Sequence, residues 1–96
     1  MRIVWKEQFK VQFNRLEKQH KDPKPLRKSL SKAISVLQTG HNLSDHFTVN
    51  RVPSAGPGWY DCYLYEDIVM VYKLQGQRVI LATIGFPRDI ADEISR

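Results

Sequence analysis

Several features common in other classes of protein are scarce or missing in this 96-residue chain. It has one cysteine, Cys62, which excludes an internal disulfide and indicates a reducing compartment. No apolar run approaches the roughly 18 residues that a membrane-spanning helix needs, and the start of the chain lacks the apolar core of a signal peptide. There is no repeat, linker or low-complexity segment. We therefore expect one folded domain over residues 1–96, located in the cytoplasm and without a membrane partner.

The common motifs for metals, phosphate loops and nucleophiles are also missing. The single cysteine and the three histidines (His20, His41 and His46) show none of the usual zinc spacings. Gly56-Pro57-Gly58 lacks the helix and the lysine that a phosphate-binding loop requires. Cys62 alternates inward on a predicted strand and is expected to be a small core residue. We expect no metal and no cofactor, which leaves acid–base chemistry or binding.

The positive charge of the chain is concentrated in its first part. The net charge is +5, but residues 1–40 contain ten Lys and Arg against three acids, a net +7, whereas residues 41–96 carry a net −2. A basic half of this kind suits nucleic acid or an acidic protein as partner. A basic outer helix face can equally be solvated only, so charge by itself leaves these alternatives open.

Two amphipathic helices are predicted in the basic part. An apolar stripe with helical spacing ends in a turn at Asp22-Pro23, and a second runs from about Pro25 to Thr39 before Gly40. The stripes contain Trp5, Phe9, Phe13, Leu16 and His20, then Leu26, Leu30, Ala33, Ile34 and Leu37. His20 is expected to be structural. The short connection predicts an antiparallel helical hairpin that covers the strands following it.

The remainder of the chain predicts strands. Arg2 to Trp5 and His46 to Val52 have strand character, and three more strands follow between Trp59 and Gly85, with turns at Glu66-Asp67 and Gln75-Gly76-Gln77. A short C-terminal helix with Ile90, Ala91 and Ile94 is expected, with Asp89 as its cap. The predicted class is α+β: a helical hairpin on a small, mainly antiparallel sheet of four to five strands.

A polar sheet face is the candidate site. Alternation places Asp61, Tyr63 and Tyr65 on one face of their strand and Cys62 and Leu64 on the other. Histidine is the side-chain type that most often acts as a general base, so His46 suits that role, while Asp61, Tyr63 and Asp67 add carboxylates and a hydroxyl. For each, a structural role is equally open: Asp67 as a turn residue, Asp61 as a partner of a surface lysine, His46 as the end of a strand.

The order of these elements and several local sequences resemble the RelE/ParE toxin superfamily, and most of all its YafQ-like branch. The resemblance rests on His20-Lys21-Asp22, Asp45-His46, Gly58-Trp59-Tyr60-Asp61, Asp67, the strand Ile68 to Leu74, and Thr83-Ile84-Gly85. It spans nearly the whole chain, although each motif is short.

The resemblance implies a toxin of a type II toxin–antitoxin pair that cuts mRNA on the ribosome without a metal ion. It also implies a cognate antitoxin, forming a hetero-oligomer with the toxin, and contact with mRNA and ribosomal RNA. His46, Asp61 and Asp67 match acid–base positions of that branch. We expect His46 to act as base and Tyr63 or Asp67 as proton donor. Arg51, Lys73 and Arg88 are expected to bind the phosphates, since cations there would balance a phosphorane.

Three positions depart from the branch. Tyr63 and Pro87 stand where it has histidines, and Thr83 stands where it has a phosphate-binding arginine. About four extra residues separate His46 from Asp61. A second hypothesis is therefore a toxin of the same fold without this chemistry, which acts by binding gyrase, as ParE-like proteins do, or binds only its antitoxin.

Overall fold

The fold combines three helices and five strands in a computed structural model that describes residues 1–94. The elements in chain order are β1 (Arg2–Trp5), α1 (Glu7–Gln19), α2 (Lys24–Gln38), β2 (Thr48–Arg51), β3 (Trp59–Tyr65), β4 (Ile68–Gln75), β5 (Arg78–Gly85) and α3 (Pro87–Ile94). Short 3₁₀ turns occupy Leu43–Asp45 and Pro53–Ala55. No helix among these residues is both long and apolar enough to cross a membrane.

The strands form one sheet in the order β1-β5-β4-β3-β2. The pairs β2–β3, β3–β4 and β4–β5 are antiparallel. The pair β1–β5 is parallel, with Ile3 opposite Val79 and Trp5 opposite Leu81. The predicted α+β class, with a mainly antiparallel sheet of up to five strands, is confirmed.

The two long helices follow the predicted apolar stripes and lie side by side in opposite directions. Phe9 and Leu16 of α1 are buried, as are Leu26, Leu30, Ala33 and Leu37 of α2. Arg27 near the start of α2 forms an ion pair with Glu17 near the end of α1. At the other end, the amino group of Met1 donates to the carbonyl of Gln38 over 2.7 Å. These contacts confirm the antiparallel hairpin and leave its basic side chains on the outer surface.

The helix ends are formed as their residue types indicate. His20 follows the last residue of α1, and its ring Nδ1 lies 2.8 Å from the carbonyl oxygen of Leu16, an acceptor, so this nitrogen donates. Gly40 follows α2 with φ +76°, a conformation that costs glycine little and side-chain-bearing residues more. The structural role expected for His20 and the helix stop at Gly40 are both observed.

The sheet buries apolar side chains on both faces. The main core lies between α1, α2 and one sheet face, where Phe9, Leu26, Met70 and Leu81 are fully or almost fully buried. On the opposite face a smaller cluster joins Val69, Val71 and Ile90, with Trp59 packed against it. The third helix, α3, therefore covers part of the face that α1 and α2 leave open, and the part it leaves uncovered carries the polar residues.

The predicted position of Tyr65 is wrong because β3 has a bulge. The register changes between Tyr63, which lies opposite Val69, and Tyr65, which lies opposite Ile68. Tyr65 consequently packs against the main core on the helix side, whereas Tyr63 stays on the open face. A bulge adds one residue to one strand and reverses the alternation beyond it.

The second strand is shorter than predicted. It begins at Thr48, and His46 lies in the turn that follows the 3₁₀ segment Leu43–Asp45, with its backbone N–H donating to the carbonyl of Leu43 over 2.9 Å. The side chain of Asn42 accepts from the N–H of Ser44 and starts this turn. An Asn side chain competes locally with strand pairing in this way, and His46 is therefore exposed outside the sheet.

One glutamine joins α1 to the uncovered part of β5. Beyond Leu81 this strand has no β1 partner, and the side-chain oxygen of Gln12 accepts from the N–H of Ile84 at 3.0 Å and from the hydroxyl of Thr83 at 2.8 Å. The backbone donor of Ile84 is thus satisfied although its strand neighbour has ended.

We expect Gln12→Leu to destabilise the protein. The change keeps the side-chain volume but leaves the N–H of Ile84 without its acceptor, at a cost of about 1–3 kcal/mol. Urea unfolding measures the loss, and Gln12→Glu, which retains an acceptor oxygen, is the matched control. An unchanged unfolding midpoint in Gln12→Leu would show that this contact is not needed.

Candidate functional site

The open sheet face brings several of the predicted polar residues into line. Asp61 and Tyr63 alternate outward on β3, and Asn50 and Thr48 lie opposite them on β2. The amide of Asn50 donates to a carboxylate oxygen of Asp61 over 3.1 Å, which fixes the orientation of that carboxylate. The sequence left open a surface lysine as the partner of Asp61, but the hydrogen-bond partner in the structure is Asn50.

A cleft lies at one end of this face. Its lining consists of Tyr63, Asp67, Phe86, Pro87 and Arg88, and its volume is about 450 Å³. Tyr63 is 36% exposed, so a bound molecule can contact it. The cleft therefore contains a phenol, a carboxylate and a guanidinium, which together can donate a proton, accept one and bind an anion.

The cleft is built by two chain segments that are distant in sequence. Asp67 lies in the tight turn between β3 and β4, where Glu66 has φ +50°. Arg88 lies in the first turn of α3, which Ile90 anchors: a Cβ added to Gly85 would lie 3.1 Å from the Cγ2 of Ile90. The close approach of α3 to the sheet at Gly85 thus places Arg88 opposite the turn that carries Asp67.

The start of α3 differs from the prediction. The helix begins at Pro87, and Asp89 lies within its first turn instead of capping it. The carbonyl of Phe86 accepts from the N–H groups of Asp89 and Ile90. Proline is favoured at a first helical position because the helix needs no N–H there. Ile94, predicted for the apolar side of this helix, lies where the structure describes no side chains.

His46 does not line the cleft, but it lies at the same end of the sheet. Thr48 is the register partner of Tyr63, and His46 precedes it by two residues, at most about 7 Å of chain. His46 is thus exposed at the end of the sheet where the cleft lies, and it is outside the lining of the cleft.

Two predicted cations lie at the other end of β3. Lys73 is opposite Trp59 in register, and its ammonium nitrogen lies 5.7 Å from the centroid of the Trp59 ring. Arg51 lines a separate groove with Trp59 and the loop that connects β2 to β3. The structure therefore brings together Tyr63, Asp67 and Arg88, and places Arg51 and Lys73 apart from them.

Phe86 had no predicted part in the site, and Pro87 was named only as standing where the branch has a histidine. Phe86 also lines a neighbouring groove of about 340 Å³ that includes Arg15 of α1, so the basic helix and the cleft meet at this ring. The sequence signal that could have indicated Phe86 as a site residue is its position as an aromatic residue between Gly85 and Pro87. Thr83 is 4% exposed and bonds to Gln12, so it lies within the packed part of β5.

Titratable groups inside the sheet are held neutral by burial. Burial, together with the nearby Asp61 carboxylate as the smaller cause, raises the pKa of the Cys62 thiol from its ordinary 9.0 to about 12. Burial likewise raises the pKa of Tyr72. Cys62 is fully buried, in agreement with its predicted role as a core residue. In the part of the chain that the structure describes, no three His, Cys, Asp or Glu side chains are grouped so as to hold a metal ion.

The raised pKa of Cys62 predicts a loss of stability in alkali. Above pH 9 the unfolded chain releases the thiol proton while the folded chain retains it, so the folded state binds more protons and the free energy of unfolding falls as pH rises towards about 12. Tyr72 acts in the same direction. Urea unfolding of the wild type and Cys62→Ala between pH 8 and 11 checks this: the variant should lose stability less steeply. Equal slopes would contradict the assignment to Cys62.

Solved structures place this architecture among small bacterial and archaeal toxins. A toxin from Helicobacter pylori in a copper-bound mutant form has a TM-score of 0.79 at 19% identity, covering 94% of this chain and 98% of that one. The DinJ–YafQ complex of E. coli has a TM-score of 0.78 at 21% identity, with the same coverages of the two chains. The RelB–RelE antitoxin–toxin complex of Methanococcus jannaschii gives 0.71 at 13% identity, covering 94% and 96%. The fold is RelE-like.

The sequence itself identifies the branch. Residues 1–92 match the family described as the bacterial toxin of type II toxin–antitoxin systems, YafQ. The chain belongs to this YafQ toxin family, as its sequence motifs predicted. No curated protein sequence matches it significantly.

Proposed function

We propose that this toxin is a ribosome-dependent endoribonuclease that cleaves mRNA by metal-free acid–base chemistry. The observation that supports the proposal is the cleft in which Tyr63, Asp67 and Arg88 meet on the open sheet face. A proton donor, a carboxylate and a phosphate-binding cation are the groups that such a cleavage needs.

The reaction follows from these groups. A base takes the proton of a ribose 2′-hydroxyl, and the 2′-oxygen forms a bond to the adjacent phosphorus. The bond from phosphorus to the 5′-oxygen breaks, and an acid protonates that oxygen. The products are a 2′,3′-cyclic phosphate and a 5′-hydroxyl, so atoms and charge balance without a further reactant.

We assign the proton transfers to residues on either side of the bound phosphate. His46 acts as the base from its exposed turn, and Tyr63 or Asp67 acts as the acid from within the cleft. Arg88 neutralises the pentacovalent phosphorane, since a guanidinium matches phosphate oxygens in bidentate fashion. Asp61, whose carboxylate Asn50 orients, is the remaining acid–base group on the same face.

The basic helices supply the contact with the ribosome. The exposed Lys and Arg side chains of α1 and α2 would bind ribosomal RNA phosphates, with an affinity that falls as salt rises. Arg15 connects this surface to the cleft through the groove that Phe86 shares. The same basic surface suits an acidic segment of a cognate antitoxin, and the similarity to the DinJ–YafQ and RelB–RelE complexes supports an antitoxin as partner. We therefore propose an antitoxin partner, a hetero-oligomer in the idle state and a cytoplasmic location.

A reconstituted translation reaction tests the proposal. Ribosomes stalled with a defined codon in the A site are incubated with the toxin, primer extension locates cuts, and end-group analysis identifies the cyclic phosphate. Cleavage in the A-site codon, and none in the same mRNA without ribosomes, is the expected result. The absence of cleavage at every codon would refute the nuclease.

One observation favours a second candidate, a toxin that acts by binding alone. Pro87 lines the cleft in place of a group that can transfer a proton, and no histidine is among its lining residues in the described chain. In that case the same surface would bind gyrase or only the antitoxin. Inhibition of DNA supercoiling by the purified toxin, together with intact mRNA in the ribosome assay, would favour this candidate.

A further inference from the structure

A second groove lies at the opposite end of β3 from the cleft. It is lined by Trp59, Arg51 and the connecting loop with Pro53 and Pro57, and its volume is about 260 Å³. Nothing in the proposed chemistry uses this groove.

The groove is fixed by backbone contacts on both sides of Trp59. The N–H of Val52 donates to the carbonyl of Trp59 over 3.0 Å, and the N–H of Leu74 donates to the carbonyl of Gly58 over 2.9 Å. Gly58 has φ +82°, and a Cβ there would lie 2.8 Å from the carbonyl oxygen of Leu74. Only glycine fits this approach, which holds the loop against β4 and keeps one wall of the groove in place.

The chemistry of the groove suits a nucleotide. Trp59 is half-buried and packs against the cluster of Val69, Val71 and Ile90, so it is a supported aromatic surface. Lys73 lies over that ring and Arg51 is exposed beside it, whereas no Asp or Glu is among the lining residues of the described chain. Bases stack on aromatic side chains, and Lys and Arg bind the phosphates between them.

The groove and the cleft are aligned along one strand. Trp59 and Tyr63 are four residues apart and alternate to the same face of β3, which separates them by about 13 Å at roughly 3.3 Å per residue. We propose that the Trp59 groove is a subsite for a nucleotide of single-stranded RNA, flanking the phosphate held in the cleft. Trp59 stacks the base, and Arg51 and Lys73 bind its phosphates. The assignment to the flank of the scissile mRNA rests on the proposed function.

Binding of an RNA that cannot be cleaved tests the subsite separately from catalysis. A fluorescein-labelled, fully 2′-O-methylated single-stranded oligonucleotide lacks the attacking hydroxyl, and its anisotropy reports affinity. Loss of one stacked base should weaken binding by about tenfold or more in Trp59→Ala, and Trp59→Phe should retain most of the affinity. The matched control is Trp5→Ala, because Trp5 is the other tryptophan, 39% exposed on a different part of the sheet.

A second pair of variants keeps the test valid if Trp59→Ala fails to fold. Arg51→Ala and Lys73→Ala remove charge and not core packing, and each should lower the slope of log affinity against log salt by about 1. If Trp59→Ala is folded and binds as tightly as the wild type, the proposal is overturned. It is also overturned if the wild type does not bind this RNA, or if the charge variants weaken only antitoxin capture. If the Trp59, Arg51 and Lys73 variants bind this RNA more weakly but the wild type cleaves no mRNA, the subsite is supported and the nuclease is refuted.

Discussion

Under the proposed mechanism, replacing Asp67 with asparagine is expected to lower the rate of mRNA cleavage by about 10²–10⁴-fold, the usual effect of removing one general acid or base. The substitution keeps the size of the side chain and its place in the β3–β4 turn, but the amide neither gives up nor takes a proton at neutral pH. The ribosome assay measures the rate, and relief of growth arrest on expression measures the effect in cells.

The neighbouring acid provides a matched control. Glu66→Gln makes the same change of charge one residue away, in the same turn, at a side chain outside the lining of the cleft. It should leave cleavage within a few-fold of the wild type. Equal losses in both variants would mean that the charge of the turn matters and not Asp67 itself.

His46→Ala tests the other half of the mechanism. The imidazole is exposed, so its removal should leave stability within about 0.5 kcal/mol while lowering cleavage by a factor similar to that for Asp67→Asn. If the His46 and Asp67 variants both stay fully toxic, the assignment of the site is wrong, and binding alone is the better explanation of toxicity.

Replacing Phe9 with alanine is expected to have the largest effect on stability. Phe9 is 0% exposed on α1, and its ring meets that of Trp5 edge to face with 5.6 Å between centroids. Truncating a buried phenylalanine removes transferred apolar surface and leaves a cavity, at about 3–5 kcal/mol. Because a domain of this size has a total stability of about 5–15 kcal/mol, this loss is a large fraction of the free energy of unfolding.

Thermal and urea unfolding would measure the Phe9 effect. With a shift of roughly 4–8 °C per kcal/mol for domains of 60–100 residues, the melting temperature should fall by about 12 °C or more. Val11→Ala on the same helix is the control, because Val11 is 46% exposed and its truncation should change stability by no more than about 0.5 kcal/mol. A small loss in Phe9→Ala would mean that the core around α1 can collapse into the cavity.

The helices and the sheet were predictable because their signals are local. An apolar stripe with a period near 3.6 can be satisfied only by a helix on an apolar surface, so Phe9, Leu16 and Leu30 are buried as expected. Gly40 and Gly76 marked the ends of α2 and β4 because their positive φ angles suit glycine, which is also a local signal. What these signals do not contain is which side of the sheet α3 covers, since Ile90 would suit either face.

The predictions that proved wrong have a common physical cause. Local hydrogen bonds and long-range strand pairing override the structure that the alternation or strand character of the sequence favours. Tyr65 was assigned to the open face by alternation, but the bulge beside it reverses the side on which it lies. His46 has strand character in sequence, but the Asn42 turn keeps it outside the sheet. The cleft joins Asp67 to Arg88 through tertiary packing at Gly85, and no spacing in the sequence encodes that approach.

The pairing of β1 with β5 has a consequence for a chain still being synthesised. Position 2 pairs with position 78, so the first strand has no partner until residue 78 has been translated. Phe86, Pro87 and Arg88 are made later still, and they form one wall of the cleft. The cleft therefore cannot form on a nascent chain before Arg88 has left the ribosome, and any activity that depends on the cleft begins only after that point.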